Sequence, residues 1–431
     1  MKTIKIGLIG LGVIGAGVVK VLRENSELIE KRLGTSILLK RIADLRIERG
    51  QGLPIDKSIL TTKAEEIIND KEIDIIIELI GGYEPALTFL LQAINNKKHI
   101  VTANKALLAK HGQEIFDAVS KQEVNIGFEA SVGGGIPIIR SVKDNLAANR
   151  FESIYGSVNG TGNYILSKMT NEAMTLQDAL KEAQTKGYAE ADPTFDIEGI
   201  DSAHKIAILA SLAFGCRIPI EKVFTEGISH ITPTDINFAK EFGYRIKLLA
   251  IAKIKNHGID IRVHPTMIRE DNPISNVNGV LNAIKVRGNA VGETLLIGEG
   301  AGAFPTASAV LGDVMEIARR VISGNRPHFI EIKSHPKIKL KPIDEIDSEY
   351  YLRFSVVDKP GVLSKLSGIL GKNSISIASV IQKGRNQTAG VPLVFMTHKA
   401  TEKDIQKAIK EISKLDIVIG KSILIRVENG N

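Results

Sequence analysis

The chain has 431 residues, of which 43% are hydrophobic and 24% charged, as expected for a globular protein of two or three domains. Its single cysteine, Cys216, excludes an intrachain disulfide and a thiolate metal site and indicates a reducing compartment, so we expect a cytoplasmic protein. The net charge of +7 comes from scattered lysines and arginines, which argues against nucleic acid as a partner and favours anionic small molecules.

An uncharged run from Ile6 to Val19 follows Lys2 and Lys5 and imitates a secretory signal. The run contains five glycines, and it is too short to span a bilayer. We therefore interpret it as part of a folded domain and expect no membrane association.

The N-terminal third alternates short apolar runs with helical patterns. Strands are predicted at Ile4–Ile9, Ile37–Ala43, Asp74–Ile80, His99–Thr102 and Asn125–Phe128, and helices from the glycine-rich turn to about Arg32 and at 63–70, 84–97 and 111–121. Such alternation predicts an α/β domain with a doubly wound parallel sheet of the Rossmann type.

A glycine-rich turn follows the first predicted strand and precedes a helix. Gly10 would permit a tight turn, Gly12 a close approach of the backbone to a pyrophosphate, and Gly15 close packing of helix on strand. In this position the motif predicts a dinucleotide site, whereas a glycine-rich turn that binds nothing is the alternative. The site would consist of Gly10, Leu11, Gly12, Val13, Ile14 and Gly15.

The end of the second strand bears on the choice between NAD and NADP. An acidic residue there accepts from the ribose 2′-OH, whereas an arginine binds a 2′-phosphate. Both occur, as Asp44 and Arg46. Arg46 and the basic charge favour NADP, with a solvated loop arginine as the alternative. Lys105 follows the strand His99–Thr102, at the sheet edge where the nicotinamide end is expected.

After Pro137 the pattern becomes mixed and predicts an α+β domain. A helix is expected at Ile138–Ala147, strands at Ile154–Val158 and Ile259–Met267, and further helices at 161–171, 175–185 and 200–214. The polar segment Ser323–Pro342 contains three prolines and no helical period, which predicts a linker.

The tail has the order strand 350–357, helix 362–371, strands 375–383 and 391–397, helix 401–414 and strand 419–427. This βαββαβ order predicts a ferredoxin-like domain. We therefore expect a dinucleotide-binding domain at 1–137, a central domain at 138–322, a linker at 323–344 and a small domain at 345–431.

The segment Gly187–Asp201 contains five carboxylates in fifteen residues and leads into a helix. Asp201 and Lys205 stand one helical turn apart. The following residues, Ile206–Ala210, are apolar all round, as in a buried helix. A lysine leading into a buried helix needs a carboxylate partner or a catalytic task. The neighbouring His204 points about 100° away on such a helix, so we interpret it as a packing residue.

The run from Ala183 through Lys205 resembles the signature of homoserine dehydrogenase. Segments 102–105 (TANK), 128–137 (FEASVGGGIP) and 156–166 (GSVNGTGNYIL) resemble the same family. In the tail, Asp358-Lys359-Pro360-Gly361-Val362-Leu363 resembles the opening of an ACT domain. The resemblance covers essentially the whole chain.

The resemblance implies reversible reduction of L-aspartate 4-semialdehyde to L-homoserine with NAD(P)H, in threonine, methionine and isoleucine biosynthesis. It makes Lys205 the proton donor, since an ammonium group can protonate the oxygen and stabilise developing alkoxide charge. It places Lys105 beside both nicotinamide and substrate and makes Glu190 the partner of the substrate ammonium. Asp196 and Asp201 would hold substrate or orient Lys205.

The resemblance also implies further ligands and partners. A monovalent cation, Na⁺ or K⁺, would be bound by the carbonyls of Glu129, Val132, Gly134 and Ile136, with a glycine-permitted turn as the alternative. The ACT-like tail implies an amino-acid effector, of which L-threonine is the first candidate, or else a tail that only dimerises. A homodimer or homotetramer is expected, with the central domain in dimerisation and the tail as a separable module.

Two other functions are weighed against this one. The chain could reduce a different semialdehyde, but the intact segment from Glu190 to Lys205 argues against that. It could also be a catalytically dead, dinucleotide-binding sensor whose tail binds the effector. The joint presence of Lys105, Glu190, Asp201 and Lys205 argues against a dead enzyme.

Overall fold

The computed structural model describes residues 3–255, 258–325, 339–383 and 390–429. The described chain forms two compact units, and neither is continuous in sequence. The first unit consists of residues 3–154, 204–221 and 281–325, and the second of the described residues within 155–203, 222–280 and 339–429. Strand β7 (Phe151–Ser157) and helix α10 (Ile200–Phe214) contribute residues to both units. The domain bounds expected from the sequence stay a prediction.

The first unit contains a six-stranded parallel sheet with the order β3-β2-β1-β4-β5-β6. This order and the helices between the strands confirm the predicted doubly wound Rossmann-type sheet. The strands are β1 (Ile4–Ile9), β2 (Ile37–Ala43), β3 (Leu60–Thr61), β4 (Ile75–Glu78), β5 (His99–Thr102) and β6 (Ile126–Gly127). The helices are α1 (Val13–Glu24), α2 (Ser26–Leu33), α3 (Glu65–Ile68), α4 (Ala86–Asn95), α5 (Lys105–Gln122) and α6 (Ile138–Arg140).

Three helices of this unit differ from the sequence-based expectation. The helix expected to reach Arg32 is interrupted at Asn25, which separates α1 from α2. Helix α5 begins six residues earlier than expected because the Asn104 side chain caps it by accepting from the Leu107 N–H. The helix expected at 138–147 is only the short α6, followed by a π-type turn at Ser141–Asn145.

A later part of the chain completes the first unit with β11 (Leu281–Gly288), β12 (Gly292–Glu299) and helix α12 (Ala303–Ser323). Helix α12 packs its apolar face against α1 and β1 in one core, through Val310 and Val314 among others. The approach is close, because a Cβ atom on Gly17 would lie 2.6 Å from the Ala303 carbonyl oxygen. Burial of β1 on both faces explains its continuous apolar sequence.

The second unit contains a long antiparallel ribbon of β9 (Tyr244–Lys255) and β10 (Gly258–Arg269), to which β8 (Phe224–Thr225) and β13 (Lys339–Leu340) are added. Its helices before the tail are α7 (Gly160–Glu172), α8 (Leu176–Thr185), α9 (Thr194–Ile197) and α11 (Pro233–Glu241). Helices α7 and α8 agree closely with the predicted 161–171 and 175–185. The predicted linker is described only in part, since 326–338 lie outside the described residues and β13 lies within its bounds.

The tail contains β14 (Asp347–Val356), α13 (Val362–Lys372), β15 (Ile377–Gln382), β16 (Val391–Thr397), β17 (Ala400–Thr401), α14 (Glu402–Ile412) and β18 (Ile423–Glu428). Strands β18-β14-β16-β15 form an antiparallel sheet covered by α13 and α14, which confirms the predicted ferredoxin-like βαββαβ domain.

The tail is joined to the rest of the second unit by strand pairing. Strand β18 pairs in parallel with β10, from Thr266 opposite Arg426 to Ile268 opposite Glu428. Arg353 on β14 donates to the buried Asp235 carboxylate at 2.7 Å and 3.0 Å. The sheet of the tail therefore continues into the β9–β10 ribbon, which argues against a module that can simply be removed.

Two features are absent from the described part of the chain. No helix there is long and apolar enough to cross a membrane. No group of three or more His, Cys, Asp or Glu side chains there is placed to hold a metal ion.

Candidate active site

The glycine-rich turn lies at the carboxyl ends of β1 and β4, where the strand order reverses. Gly10 has a φ of +105°, and a Cβ atom there would lie 2.7 Å from the Leu79 carbonyl carbon. A Cβ atom on Gly15 would overlap the Gly10 carbonyl oxygen. Gly12, by contrast, precedes α1 and has no heavy atom within 4 Å of such a Cβ. The turn therefore fits a dinucleotide whose pyrophosphate approaches Gly12.

The Asp44 carboxylate is bound to this turn. One oxygen accepts from the Leu11 N–H at 2.6 Å, and the other accepts from the Arg46 N–H at 2.8 Å. The Arg49 guanidinium also donates to Asp44, at 3.3 Å. Asp44 thus fixes the turn from the end of β2, while the Arg46 side chain is exposed beside it. Neither this tether nor the contact with Arg49 was predicted from the sequence.

A buried carboxylate organises the approach to Lys105. Glu78 ends β4, and it accepts from the Thr102 hydroxyl at 2.6 Å and from the N–H groups of Ile80 and Gly81. Burial raises the pKa of Glu78 above its usual value. Asn104 donates to the Gly82 carbonyl at 2.7 Å. These hydrogen bonds fix the turn before Lys105. Glu78, an acidic residue at the end of an otherwise apolar strand, was the sequence signal that could have predicted this arrangement.

The two predicted catalytic lysines lie on α5 and α10, and other residues of these two helices line a small cavity within the first unit. Lys105 is the first residue of α5, and Lys205 lies in the buried first half of α10 with 8% of its surface exposed. The cavity, about 40 Å³, is lined by both helices, Leu108 and Phe116 on α5 and Ala207 and Ser211 on α10 among others. The predicted burial of α10 is observed, since residues 201–210 are all buried.

In the second unit, Asn159 connects two of the predicted site carboxylates. Its amide nitrogen donates to Asp196 at 2.7 Å and to Asp201 at 3.0 Å. Its amide oxygen accepts from the Gly162 N–H at 2.6 Å and caps α7. Asp201 is 4% exposed and stands at the start of α10, which also carries Lys205. We call Asn159, Asp196 and Asp201 the Asn159 cluster.

Asn159 was not predicted to be a site residue from the sequence. The signal was present, since an asparagine between a predicted strand and a predicted helix is a common helix cap. The spacing alone could not show that the amide nitrogen also reaches two carboxylates that follow it by 37 and 42 positions.

The segment before the Asn159 cluster is anchored to α7 and α8. The Thr161 hydroxyl donates to the Tyr188 carbonyl at 2.6 Å, and the Tyr164 and Tyr188 rings lie 5.1 Å apart. Gln184 donates to the carbonyl of Glu190 at 3.1 Å. The Glu190 side chain itself is exposed and does not belong to the Asn159 cluster.

The predicted cation loop of the first unit is fixed by carboxylates. Glu129 accepts from the N–H groups of Ile139 at 2.7 Å and Arg140 at 2.8 Å, while its own N–H donates to Asp313. Burial raises the pKa of Glu129, and it raises the pKa of Asp313 to about 7. The missed role of the Glu129 side chain is therefore to hold the loop against the start of α6.

The glycines and carbonyls of this loop can be compared with a cation site. Gly134 has a φ of +54°, and a Cβ atom there would lie 2.5 Å from the Gly300 carbonyl carbon. The Glu129 carbonyl already accepts from the Val132 N–H at 3.3 Å, and the Ile136 carbonyl accepts from the Ile138 N–H at 2.8 Å. Each carbonyl oxygen has a second lone pair, so these two hydrogen bonds do not prevent the same carbonyls from also accepting a monovalent cation.

The fold and the site together define a dinucleotide-dependent oxidoreductase with a regulatory-type domain. The features that define this class are the doubly wound sheet with a glycine turn at its switch point, the Asn159 cluster and the ferredoxin-like tail. Family models match three parts of the chain: the NAD binding domain of homoserine dehydrogenase at 10–129, homoserine dehydrogenase at 137–315 and the ACT domain at 350–416. The chain belongs to the homoserine dehydrogenase family.

Similar proteins agree with the family models over the full length. Homoserine dehydrogenase of Neisseria gonorrhoeae is 45% identical over 100% of this chain and 99% of that protein. Homoserine dehydrogenase of Helicobacter pylori is 46% identical over 99% and 100%, respectively. The crystal structure of a homoserine dehydrogenase from Thiobacillus denitrificans has a TM-score of 0.93 at 46% identity and covers 100% of this chain and 99% of that chain. A hyperthermophilic archaeal homoserine dehydrogenase in complex with NADPH has a TM-score of 0.64 at 26% identity, covering 76% and 100%.

Proposed function

We propose that this oxidoreductase catalyses the reversible reduction of L-aspartate 4-semialdehyde to L-homoserine by a nicotinamide dinucleotide. The Asn159 cluster carries the proposal, because it gathers two signature carboxylates at the start of the helix that contains Lys205. The test is to follow NADPH and NADH consumption separately with the purified protein and the semialdehyde. Absence of consumption with both dinucleotides would contradict the proposal.

Lys205 is the proton donor in this proposal. The bound dinucleotide supplies a hydride to the aldehyde carbon. Lys205 gives its proton to the aldehyde oxygen and stabilises the charge that develops there. A position with 8% exposure keeps water away from the ammonium group. Asp201, one turn earlier, orients Lys205, and Lys105 contacts nicotinamide and substrate.

Glu190 and Asp196 bind the substrate. The Glu190 carboxylate is exposed and forms no ion pair among the described residues, so it can take the substrate ammonium without losing a partner. Asp196 is held by Asn159, which leaves its second oxygen for a substrate donor. Carboxylates complement the ammonium group of an amino-acid substrate, which an uncharged aldehyde lacks.

The dinucleotide is bound by Gly10, Leu11, Gly12, Val13, Ile14 and Gly15, with Arg46 and Lys105 at its two ends, and NADP is preferred to NAD. Asp44 supports this preference, since its oxygens accept from the N–H groups of Leu11 and Arg46 and are less available to a ribose hydroxyl. The structure of the archaeal relative is a complex with NADPH. A higher kcat/KM with NADH than with NADPH would contradict the preference.

The cation, the assembly and the compartment complete the proposal. Carbonyls of Glu129, Val132, Gly134 and Ile136 bind Na⁺ or K⁺.

The protein acts in the cytoplasm as a homodimer or homotetramer that assembles through its central domain. Its domains span residues 1–137, 138–322 and 345–431. The tail binds an amino-acid effector such as L-threonine. The turn at Gly361, with a φ of +86° directly before α13, is the site that the sequence suggests for it.

A further inference from the structure

A carboxylate without a cationic partner lies buried at the end of strand β4 in the first unit. Glu78 is fully buried, with 0% of its surface exposed, and within the described ranges it forms no ion pair. Burial of an unpaired carboxylate is costly, and the other residues of β4 are isoleucines. The roles proposed for Lys105 and Lys205 make no use of this charge.

The hydrogen-bond partners of Glu78 favour its ionised form. One carboxylate oxygen accepts from the N–H groups of Ile80 at 2.9 Å and Gly81 at 3.2 Å, and the other accepts from the Thr102 hydroxyl at 2.6 Å. That hydroxyl accepts in turn from the Asn104 N–H at 3.0 Å. Each of these contacts places a donor against Glu78, and donors stabilise a carboxylate relative to a carboxyl group. Burial raises the pKa of Glu78, and these hydrogen bonds oppose that shift.

The same hydrogen bonds join the ends of two neighbouring strands. Strands β4 and β5 pair in parallel, with Glu78 opposite Thr102 at their last residues. The Asn104 amide extends the connection by donating to the Gly82 carbonyl at 2.7 Å. Gly81 and Gly82 have φ values of +74° and +72°, and a Cβ atom on either would meet no heavy atom within 4 Å. The turn held by Glu78 therefore presents bare backbone at the carboxyl end of the sheet.

This end of the sheet is where the nicotinamide half of a dinucleotide is expected. The glycine turn after β1 is the expected place of the pyrophosphate, and the end of β2 is that of the adenosine ribose. Because β4 lies on the other side of β1 from β2, the remaining half extends over the ends of β4 and β5. Glu78 ends β4, so its charge lies on the nicotinamide side of the sheet edge.

We propose that the Glu78 carboxylate stabilises the oxidised, positively charged nicotinamide relative to the reduced, neutral one. Loss of a hydride converts the neutral ring into a ring with one positive charge. A fixed negative charge in a buried position favours the charged ring and therefore favours hydride transfer to the substrate. The proposal rests on the dinucleotide site of the proposed function, but it does not depend on which aldehyde is reduced.

The test compares the Kd values for NADP⁺ and NADPH in the full-length chain. NADPH is titrated by its fluorescence, and NADP⁺ by competition against NADPH. Glu78→Gln removes the charge but keeps the side-chain volume and an acceptor for the N–H groups of Ile80 and Gly81. We expect the Kd for NADP⁺ to rise about tenfold more than the Kd for NADPH, as opposite charges at a partly buried sheet edge imply.

Three further variants separate the charge from the shape of the turn. Thr102→Val removes the hydroxyl but not the charge, so any change should affect both Kd values in the same proportion. Glu114→Gln is the matched control, since it removes a carboxylate of α5 that is 55% exposed, and it should change neither Kd. Glu78→Met takes the place of Glu78→Gln if that variant does not fold, because apolar replacements of buried charges are often tolerated.

Three results would overturn the role of the Glu78 charge. They are an unchanged ratio of the two Kd values when the charge is removed, an equal shift of this ratio in Thr102→Val or Glu114→Gln, and absence of binding of both dinucleotides by the unchanged protein. These titrations contain no aldehyde. The expected shift in a protein that does not reduce aspartate semialdehyde would therefore contradict the proposed function alone.

Discussion

In the first unit the dinucleotide turn is shaped by backbone sterics, whereas in the second unit the Asn159 cluster is held by side-chain hydrogen bonds. Gly10 and Gly15 leave no room for a Cβ atom, so the shape of the turn requires glycine at both positions, with the Asp44 carboxylate as an additional tether. The Asn159 cluster depends on an amide that reaches residues 37 and 42 positions away. We therefore expect dinucleotide binding at the glycine turn to tolerate substitutions elsewhere in the chain. The geometry of the Asn159 cluster should instead depend on the stability of the second unit.

Removal of the tail is the strongest test of that difference. A chain that ends at residue 325 loses β18 and exposes the edge of β10. It also leaves Asp235, Lys253 and Arg262 without Arg353 and Glu428 as partners. Breaking one buried ion pair costs about 3–5 kcal/mol, against a total stability of about 5–15 kcal/mol. We expect the second unit to unfold and activity to be lost, as measured by circular dichroism and turnover.

The matched control for truncation is Lys383→Met, which removes only the exposed ion pair of the tail with Glu241. This change should alter the melting temperature little, because exposed pairs contribute about 0–1 kcal/mol. A truncated chain that keeps its melting temperature and its turnover would show that the tail is separable, as the sequence suggested.

Lys205→Ala tests the chemistry rather than the fold. A proton donor acts in the transition state, so kcat and kcat/KM should fall together by about 10²–10⁴-fold. Dinucleotide affinity, measured by fluorescence titration, should stay within about twofold because the glycine turn is unchanged. Lys181→Ala, at an exposed position on α8, is the control. A near-normal kcat in Lys205→Ala would contradict the assignment of Lys205 as the proton donor.

Asn159→Ala separates the two tasks of one amide. Loss of the cap on α7 should cost about 1 kcal/mol of stability. Loss of the bonds to Asp196 and Asp201 should lower kcat/KM about 10–100-fold, as expected for hydrogen bonds to charged groups of about 1.5–3 kcal/mol. Asn159→Asp keeps a capping oxygen but places a third carboxylate beside the other two.

We expect Asn159→Asp to recover the melting temperature but not the activity. If Asn159→Ala lowers only the melting temperature and leaves kcat/KM intact, the amide has no positioning role.

Features of the structure that depend on local sequence could be predicted, whereas features that depend on contacts between distant residues could not. The bounds of β2 and β5, the βαββαβ tail and the function of the glycine turn depend on local patterns, and the structure or the family matches agree with them. Helix α12 was not anticipated, although its apolar face follows a local helical period. What no local pattern shows is that this face packs against α1, nearly 300 positions earlier. The engagement of Asp44 by the glycine turn and the pairing of β18 with β10 are likewise tertiary, so no local pattern encodes them.

Gly12→Ala is the smallest change that distinguishes a turn that binds from a turn that only folds. The added methyl group meets no protein atom within 4 Å, and the φ of −75° suits any residue, so the melting temperature should change little. It projects into the space expected for the pyrophosphate and should raise the Kd for NADPH about tenfold, which corresponds to about 1.4 kcal/mol. Gly15→Ala is the matched variant and should lower the melting temperature instead. Unchanged NADPH affinity in Gly12→Ala would indicate a structural turn.

A buried lysine in the second unit gives the last prediction. Lys247 on β9 is 3% exposed and donates to the Asn163 side chain at 2.9 Å and to the Val277 carbonyl at 2.6 Å. These partners are neutral, and burial lowers the pKa of Lys247 to about 7, from about 10.5 in an unfolded chain. Between these values the unfolded chain binds more protons than the folded one, so the free energy of unfolding rises with pH. The slope is at most about 1.4 kcal/mol per pH unit.

Urea unfolding checks this prediction. Between pH 7 and pH 8, the free energy of unfolding of the unchanged protein should rise by up to about 1 kcal/mol more than that of Lys247→Met, where this contribution is absent. Lys240→Met, at an exposed position on α11, should keep the full pH dependence. Equal pH dependence in the unchanged protein and Lys247→Met would show that the ammonium group stays protonated in the fold and that its neutral partners suffice to hold the charge.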